Sequence, residues 1–375
     1  MKKTLLAAAL LAGFAGAASA QSSVTLYGVA DVGYSYQNIK APGGETRSQF
    51  AMASGQQNGS RWGLKGVEDL GNGLKANFVY ESSITLNSGA SSGFTRQSTF
   101  GLSSSKWGSV DLGRRTSPGT WAFSGIDPFG AAFGTSALDA SMGATFIRLS
   151  NMIMYTTPNI SGFGAAIGYS SQTGLAGRGT GIAKETAFST SEKFRALSVG
   201  LRYANGPLLI SGMYDTYMPP SNSAKTTAAK QWNLGGTYDL KMVKIHAAYG
   251  QNIDGIVEGQ TTINNAAISG GDQNTGGGVL FVPGARTSSW MLGLSAPVGG
   301  AGKVFANVQQ MIPGGDFKET IGSLSSATQT TASIGYTYNM SKRTNLYAFY
   351  SYTNNVFMVN DVTANQVGVG VRHRF

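Results

Sequence analysis

A period of two runs through this chain, and a period of 3.6 almost never replaces it. In "SVTLYGVADVGYSYQ" one face carries Val24, Leu26, Ala30, Val32, Tyr34 and Tyr36. "RALSVGLRYAN" sets Leu197, Val199, Leu201 and Tyr203 against Ser198, Gly200 and Arg202, and "TASIGYTYNM" sets Ala332, Ile334, Tyr336 and Tyr338 against Ser333, Gly335 and Thr337. The last residues, "NQVGVGVRHRF", alternate right up to Phe375. Such patterning specifies strands whose two faces meet two different environments.

The breaks between strands are themselves ordered. Tight ones fall at 68–73, 105–108, 159–162, 205–207, 240–242, 298–302 and 341–343. Longer stretches rich in Gly, Ser, Thr and Asn fall near 38–58, 86–95, 117–145, 172–193, 219–229, 252–287, 313–328 and 354–364. Seven tight turns and eight long loops alternate, which gives sixteen strands. Antiparallel strands joined in this way gather the tight turns at one end and the loops at the other. The expected fold is all-β: a 16-stranded antiparallel transmembrane β-barrel with short periplasmic turns and long extracellular loops. No helical pattern is evident in the loops.

Composition narrows the setting. Only 12% of residues are charged, Gly numbers 53, and Cys is absent. No apolar run is long enough for a membrane-spanning helix, but that does not bear on strands. "MKKTLLAAALLAGFAGAASA" has two lysines, an apolar stretch and an Ala18-Ser19-Ala20 ending, so residues 1–20 are expected to be a cleaved signal peptide and 21–375 the barrel domain. Cleavage removes Lys2 and Lys3 from a chain of formal net charge +10. An exported protein without cysteines must be held by something other than disulfides. A closed hydrogen-bonded sheet would suffice.

In lipid every backbone polar group needs an internal partner, so a spanning sheet has to close on itself. A Lys or Arg on the lipid face near the midplane costs about 2–4 kcal/mol. That cost fixes the phase of "SRWGLKG": Arg61 and Lys65 inward, Trp62 and Leu64 outward. Tyrosines near strand ends suit the two interfacial girdles. A soluble sandwich would need a more apolar inner layer. Sixteen strands enclose more space than side chains can fill and leave an aqueous channel.

"SSVTLYGVADVGY", "GSRWGLKGVEDLGNGLKANFVYES", "GSVDLGRRTSPG" and the terminal "VGVRHRF" resemble the trimeric general porins of Gram-negative bacteria, of the β-proteobacterial and neisserial type. The resemblance runs from about residue 21 to 375. It implies a homotrimer in the cell outer membrane, among outer-membrane lipid and lipopolysaccharide, whose third long loop folds inward to narrow the channel. On that loop the resemblance picks out Asp127, Pro128, Phe129 and Gly130, with Asp139 as the other acid. Here the acid precedes the proline, a departure from the enterobacterial form. The facing wall is implied to carry Arg61, Arg114 and Arg148, with Lys65 beside them. Simple alternation puts Arg114 on the face of Val110 and Leu112. Either the strand loses its phase near Gly113, or Arg115 is the lumen residue. The terminal Phe375 resembles the signal read by the outer-membrane assembly machinery.

Other chemistry finds little support. "GASSG" fits a nucleophile-elbow spacing at Ser91 but sits in a loop with no helix pattern after it. Two histidines and no cysteine argue against a metal site, and His246 is expected to be a solvated lumen residue. No enzyme activity, cofactor or nucleic-acid partner is expected, since the basic residues are spread rather than clustered. The expected function is passive diffusion of small hydrophilic solutes and ions, with modest anion selectivity from the wall charges. The alternatives are a channel specific for a sugar or organic acid, which would use Trp121, Phe123, Phe129 and Phe133 along the lumen, and a barrel-anchored adhesin.

Overall fold

The structure, a computed structural model, describes residues 23–130, 132–143, 147–178, 193–220, 227–257, 278–315 and 327–375. The proposed signal peptide and parts of several long loops lie outside these residues. Sixteen staves form one closed antiparallel barrel. They are β1 (Ser23–Lys40), β2 (Thr46–Ser54 and Arg61–Gly71), β3 (Leu74–Thr85), β4 (Gln97–Ser104), β5 (Gly108–Thr116), β6 (Arg148–Thr156), β7 (Phe163–Ser170) and β8 (Arg195–Asn205). Then follow β9 (Leu208–Met218), β10 (Ala229–Asp239), β11 (Lys244–Val257), β12 (Gly278–Val298), β13 (Gly302–Gly315), β14 (Gln329–Asn339), β15 (Thr344–Asn354) and β16 (Thr363–Arg374). Short segments at Ala90–Ser91 and Ala176–Arg178 pair with β3 and β12 at the long-loop end.

Closure is made by β1 and β16, in register from Val29 opposite Arg374 to Lys40 opposite Thr363. On its other side β1 pairs with β2, Ser23–Val29 with Arg61–Val67 and Val32–Lys40 with Thr46–Ser54. Both sheet edges are thereby used, which leaves no unpaired ladder in lipid. One further pair of hydrogen bonds finishes the seam: Gly28 N donates to Phe375 O at 3.0 Å and Phe375 N to Gly28 O at 3.2 Å.

The tight turns fall where the sequence places them, but two long stretches need correction. Residues 38–58 are mostly strand, because β1 continues to Lys40 and β2 begins at Thr46. Their small and polar residues pair as an extended hairpin, and the stave breaks later, between Gly55 (φ 77°) and Ser60. Residues 252–287 likewise contain the ends of β11 and β12. The third loop is not devoid of helix either. Its α1 (Pro118–Phe123) and α2 (Asp139–Met142) are too short to show a 3.6-residue period. Ser117 starts α1 by accepting from Thr120 N at 3.1 Å, with Pro118 in the first turn, where its missing N–H costs nothing.

The outer face is apolar. Leu201, Leu234, Leu292 and Ile334 are all exposed, and Tyr34, Tyr36, Tyr238, Tyr249, Tyr336, Tyr338, Tyr350 and Tyr352 point the same way. Leu292→Arg should destabilise the folded barrel by about 2–4 kcal/mol, read as a shifted urea midpoint in lipid vesicles. An unchanged midpoint would place Leu292 off the lipid face.

The inner face departs from the simple rule of a polar lumen. Met213, Tyr217, Ala248 and Met291 are inward and buried. They pack with Phe123, Ile126, Leu138 and Met142 of the third loop into one apolar cluster. The barrel thus has a hydrophobic core between wall and loop, in addition to its channel.

Candidate functional site: the charged wall and the third loop

The third loop leaves the wall after β5 and lies inside the barrel. Glycine makes the close approach possible: a Cβ at Gly200 would fall 2.2 Å from Pro118 O and 2.9 Å from Ala122 Cβ. Wall side chains then satisfy the loop's backbone. Asn307 Nδ2 donates to Ser136 O (2.9 Å), Gln309 Nε2 to Ala137 O (3.0 Å) and Gln329 Nε2 to Ala140 O (2.8 Å). Gln231 Nε2 donates to Met142 O (2.7 Å), and Ser289 Oγ to Ser141 O (2.7 Å). His246 is buried beneath the loop rather than solvated: its Nδ1 lies 2.8 Å from Ile126 O and its Nε2 3.1 Å from Ser295 Oγ. A buried carbonyl without a donor is costly, so these polar positions of the lumen hold the loop at a fixed height.

The two acids of the loop do not face the channel as free charges. Asp127 is buried, with Oδ1 accepting from Phe129 N at 2.9 Å and Oδ2 from Leu138 N at 2.9 Å. It clamps the loop's two limbs together. Asp139 Oδ1 is enclosed without a hydrogen-bond partner. Burial, with the charge of Asp127 nearby, pushes its carboxyl up to about 8, so near pH 7 it is mostly uncharged. Asp127→Ala removes two charge-assisted bonds of about 1.5–3 kcal/mol each. The variant should show a lower unfolding midpoint and a noisier open-channel current, and a quiet current at wild-type stability would contradict the clamp.

Pro128, Phe129 and Gly130 form the loop's tip. Gly130 has φ 64°, a left-handed conformation that favours glycine. A Cβ at Gly293 would meet Pro128 Cγ at 2.8 Å. Phe129 packs edge-on against Phe305 with centroids 4.8 Å apart, and Phe133 lies 5.3 Å from Phe349 and 5.6 Å from Tyr347. Phe123, Phe129 and Phe133 are all buried and pack the loop on the wall, whereas Trp121 is only partly buried against the same cluster.

The basic residues gather on β2, β5, β6 and the entry to β4. Arg61 Nε lies 3.5 Å from Glu81 Oε2, and Arg96 Nε lies 2.8 Å from Glu81 Oε1. Tyr27 OH donates to the same carboxylate at 3.0 Å. The charges acting on Arg148 are those of Arg96, Glu81, Arg114 and Arg61. Four arginines therefore share one neighbourhood with a single carboxylate. At β5 a register shift falls between Gly113 (φ 120°) and Arg115, so the strand loses its simple phase there. Arg114 then reaches Ser150 Oγ with Nη1 (2.8 Å) and Thr95 O with Nε (2.5 Å). Arg115 is ion-paired with Asp111, four residues earlier. Lys65 stands apart from the arginines, its Nζ 5.3 Å from the centre of the Tyr27 ring.

Arg96 and Glu81 were not among the residues expected here. Glu81 could have been found from "FVYES", where it is a carboxylate in phase with Val79 inside an apolar strand. Arg96 lies just past a Gly/Ser loop, where alternation gives no phase.

A closed barrel with an apolar exterior, a charged inner wall and an inward loop defines an outer-membrane channel protein. The chain matches the Gram-negative porin family model over residues 7–356, and it belongs to that family. It is 44% identical over 397 residues to an outer membrane porin protein of Bordetella pertussis, with all of both chains covered. It is 34% identical to "Outer membrane porin protein 32" of Delftia acidovorans, covering 95% of this chain and 90% of the relative. Among solved structures it resembles the "Anion-selective porin from Comamonas acidovorans" with a TM-score of 0.70 and 27% identity, covering 95% of this chain and 100% of that one.

Proposed function

We propose that this outer-membrane porin passes small hydrophilic solutes by diffusion with a preference for anions, as a homotrimer of independent channels. The observation that carries the anion preference is the charge balance at the third loop. Arg61, Arg96, Arg114 and Arg148 face one Glu81, and the loop opposite presents no free carboxylate. Wall charges act over a Debye length of about 8 Å at physiological salt, which is comparable to the half-width of such a channel. The anion-selective relative supports the same sign. Three of the four loop aromatics, Phe123, Phe129 and Phe133, are buried against the wall, which does not favour a sugar-specific channel.

Planar-bilayer recording of the purified protein in a KCl gradient tests the proposal. The expected reversal potential has the sign of chloride preference, and closure should come in three equal steps. A cation-preferring potential would overturn the selectivity, and a single closure step would overturn the trimer.

A further inference from the structure

We propose that the lumen holds a second anion site, adjoining the arginine wall at Arg61, that takes small aromatic carboxylates. It lies on the tight-turn side of the third loop, between the loop's tip and the wall made by β13, β14 and β16. The proposal rests on the channel function only for how a ligand arrives.

A cavity of 260 Å³ opens there. That is about nine times the share of liquid volume held by one water, so it has room for a small organic molecule. Three cations line it: Lys303, Arg372 and Arg374. None of them has an ion-pair partner among the described residues. The nearby acid, Asp31, is fully buried and already occupied. Its Oδ2 accepts from Gln57 N (2.8 Å) and Asn58 N (2.6 Å), and its Oδ1 from Tyr347 OH (2.6 Å). Arg372 Nη1 donates to Asn58 Oδ1 at 2.5 Å, while its Nε is enclosed with no partner. Lys303 Nζ lies 5.9 Å from the centre of the Phe305 ring and also feels the charge of Lys244. The cavity is thus a pocket of net positive charge, with the buried Asp31 acting on Arg372 from behind it.

Its other side is apolar. Phe129 and Phe133, from the loop's tip, meet Phe305 there. Guanidinium groups recognise carboxylates through paired parallel hydrogen bonds. Phenylalanine rings favour an aromatic body through edge-to-face or offset contacts. Gln57 and Asn58 add amides at the rim. Charge on one side and rings on the other select a ring-bearing carboxylate over a bare inorganic anion. The site also gives the "DPFG" tip a role beyond narrowing the channel, since Phe129 closes the pocket. It remains open to the lumen, as a conducting path requires of any station along it.

Isothermal titration of the purified folded protein at low salt tests this, with phthalate as the probe and succinate, of equal charge, as comparator. Wild type should bind phthalate several-fold more tightly than succinate. Lys303→Gln with Arg374→Gln should weaken phthalate binding by about tenfold or more. Phe305→Leu should abolish the preference for phthalate while leaving succinate binding in place. Arg202→Gln, on β8 and outside both the pocket lining and the arginine wall, should leave phthalate affinity within about twofold. Heat-resistant migration and KCl conductance report whether each variant is folded and open, so loss of the channel and loss of the site read differently. The proposal is overturned by equal affinities for the two probes in wild type, by wild-type binding in the Lys303/Arg374 variant, or by loss of binding in Arg202→Gln alone.

Discussion

Deletion of Phe375 should cut the amount of folded barrel severely while leaving unchanged the conductance of those molecules that do assemble. The residue contributes at the seam beside the Arg61 backbone, but its uncharged ring shares the exposed apolar face of Val367, Val369 and Val371. Two backbone hydrogen bonds with Gly28 are lost, at about 1 kcal/mol each. A half-buried ring is lost as well. A deficit of one to two kcal/mol lowers the folded-to-unfolded ratio by roughly 5- to 30-fold. The ring lies directly over residue 28: a Cβ there would sit 2.2 Å from Phe375 Cζ. Gly28→Leu should therefore reproduce part of the defect with the terminus intact. The measurement is the heat-modifiable, protease-resistant fraction in outer-membrane preparations, together with single-channel conductance. Wild-type levels of folded protein in both variants would show that the seam does not need the ring. A defect in the deletion with none in Gly28→Leu would assign the role of Phe375 to recognition by the assembly machinery.

Arg148→Glu combined with Arg61→Gln should turn a modest anion preference into a cation preference. A unit charge 8 Å from a permeating ion is worth about 0.5 kcal/mol in water. Screening over one Debye length cuts that by about a factor of three. The two substitutions move the wall by three charge units, so an anion loses about 0.5 kcal/mol and a cation gains as much. The permeability ratio should then fall by about fivefold. Arg148 tolerates the exchange well, because the charges around it are Arg96, Arg114 and Arg61 with only one acid, Glu81. The reversal potential in a KCl gradient measures the shift. A ratio unchanged within error would remove these arginines from the control of selectivity, even in an open and stable channel.

Much of the architecture was legible in the residues because lipid enforces it locally. A charged side chain facing the bilayer costs enough to set the phase of a strand, so Arg61 and Lys65 against Trp62 and Leu64 could be oriented from their order alone. Hairpin ends were legible in the same way, since Gly, Asn and Lys–Arg turns interrupt the alternation wherever the chain reverses. The seam was legible too: the "VGVGV" run keeps its period because β16 has β1 for a partner.

The interior was less so, because its logic is not local. Asp127 looked like a pore-facing acid, yet its carboxylate is consumed by two backbone N–H groups, one of them eleven residues away at Leu138. Phe129 and Phe133 looked free to line a water path, but they bury against Phe305 and Phe349, which lie far along the chain. Arg114 and Arg115 could not be phased from their order, since a bulge at Gly113 breaks the parity on which alternation depends.

The sequence by itself determined a closed sixteen-stranded barrel, the end at which its tight turns lie and the sign of its charge. A bilayer reads those properties strand by strand, through a period of two. Only the tertiary structure decided which charges meet and which are spent. It pairs Arg96 and Arg61 with Glu81, spends Asp127 on the loop's own backbone, and brings Lys303, Arg372 and Arg374 to one pocket under the loop's tip. Those meetings depend on how a long loop folds back across a lumen, where residues hundreds of positions apart become neighbours and no local periodicity reports them.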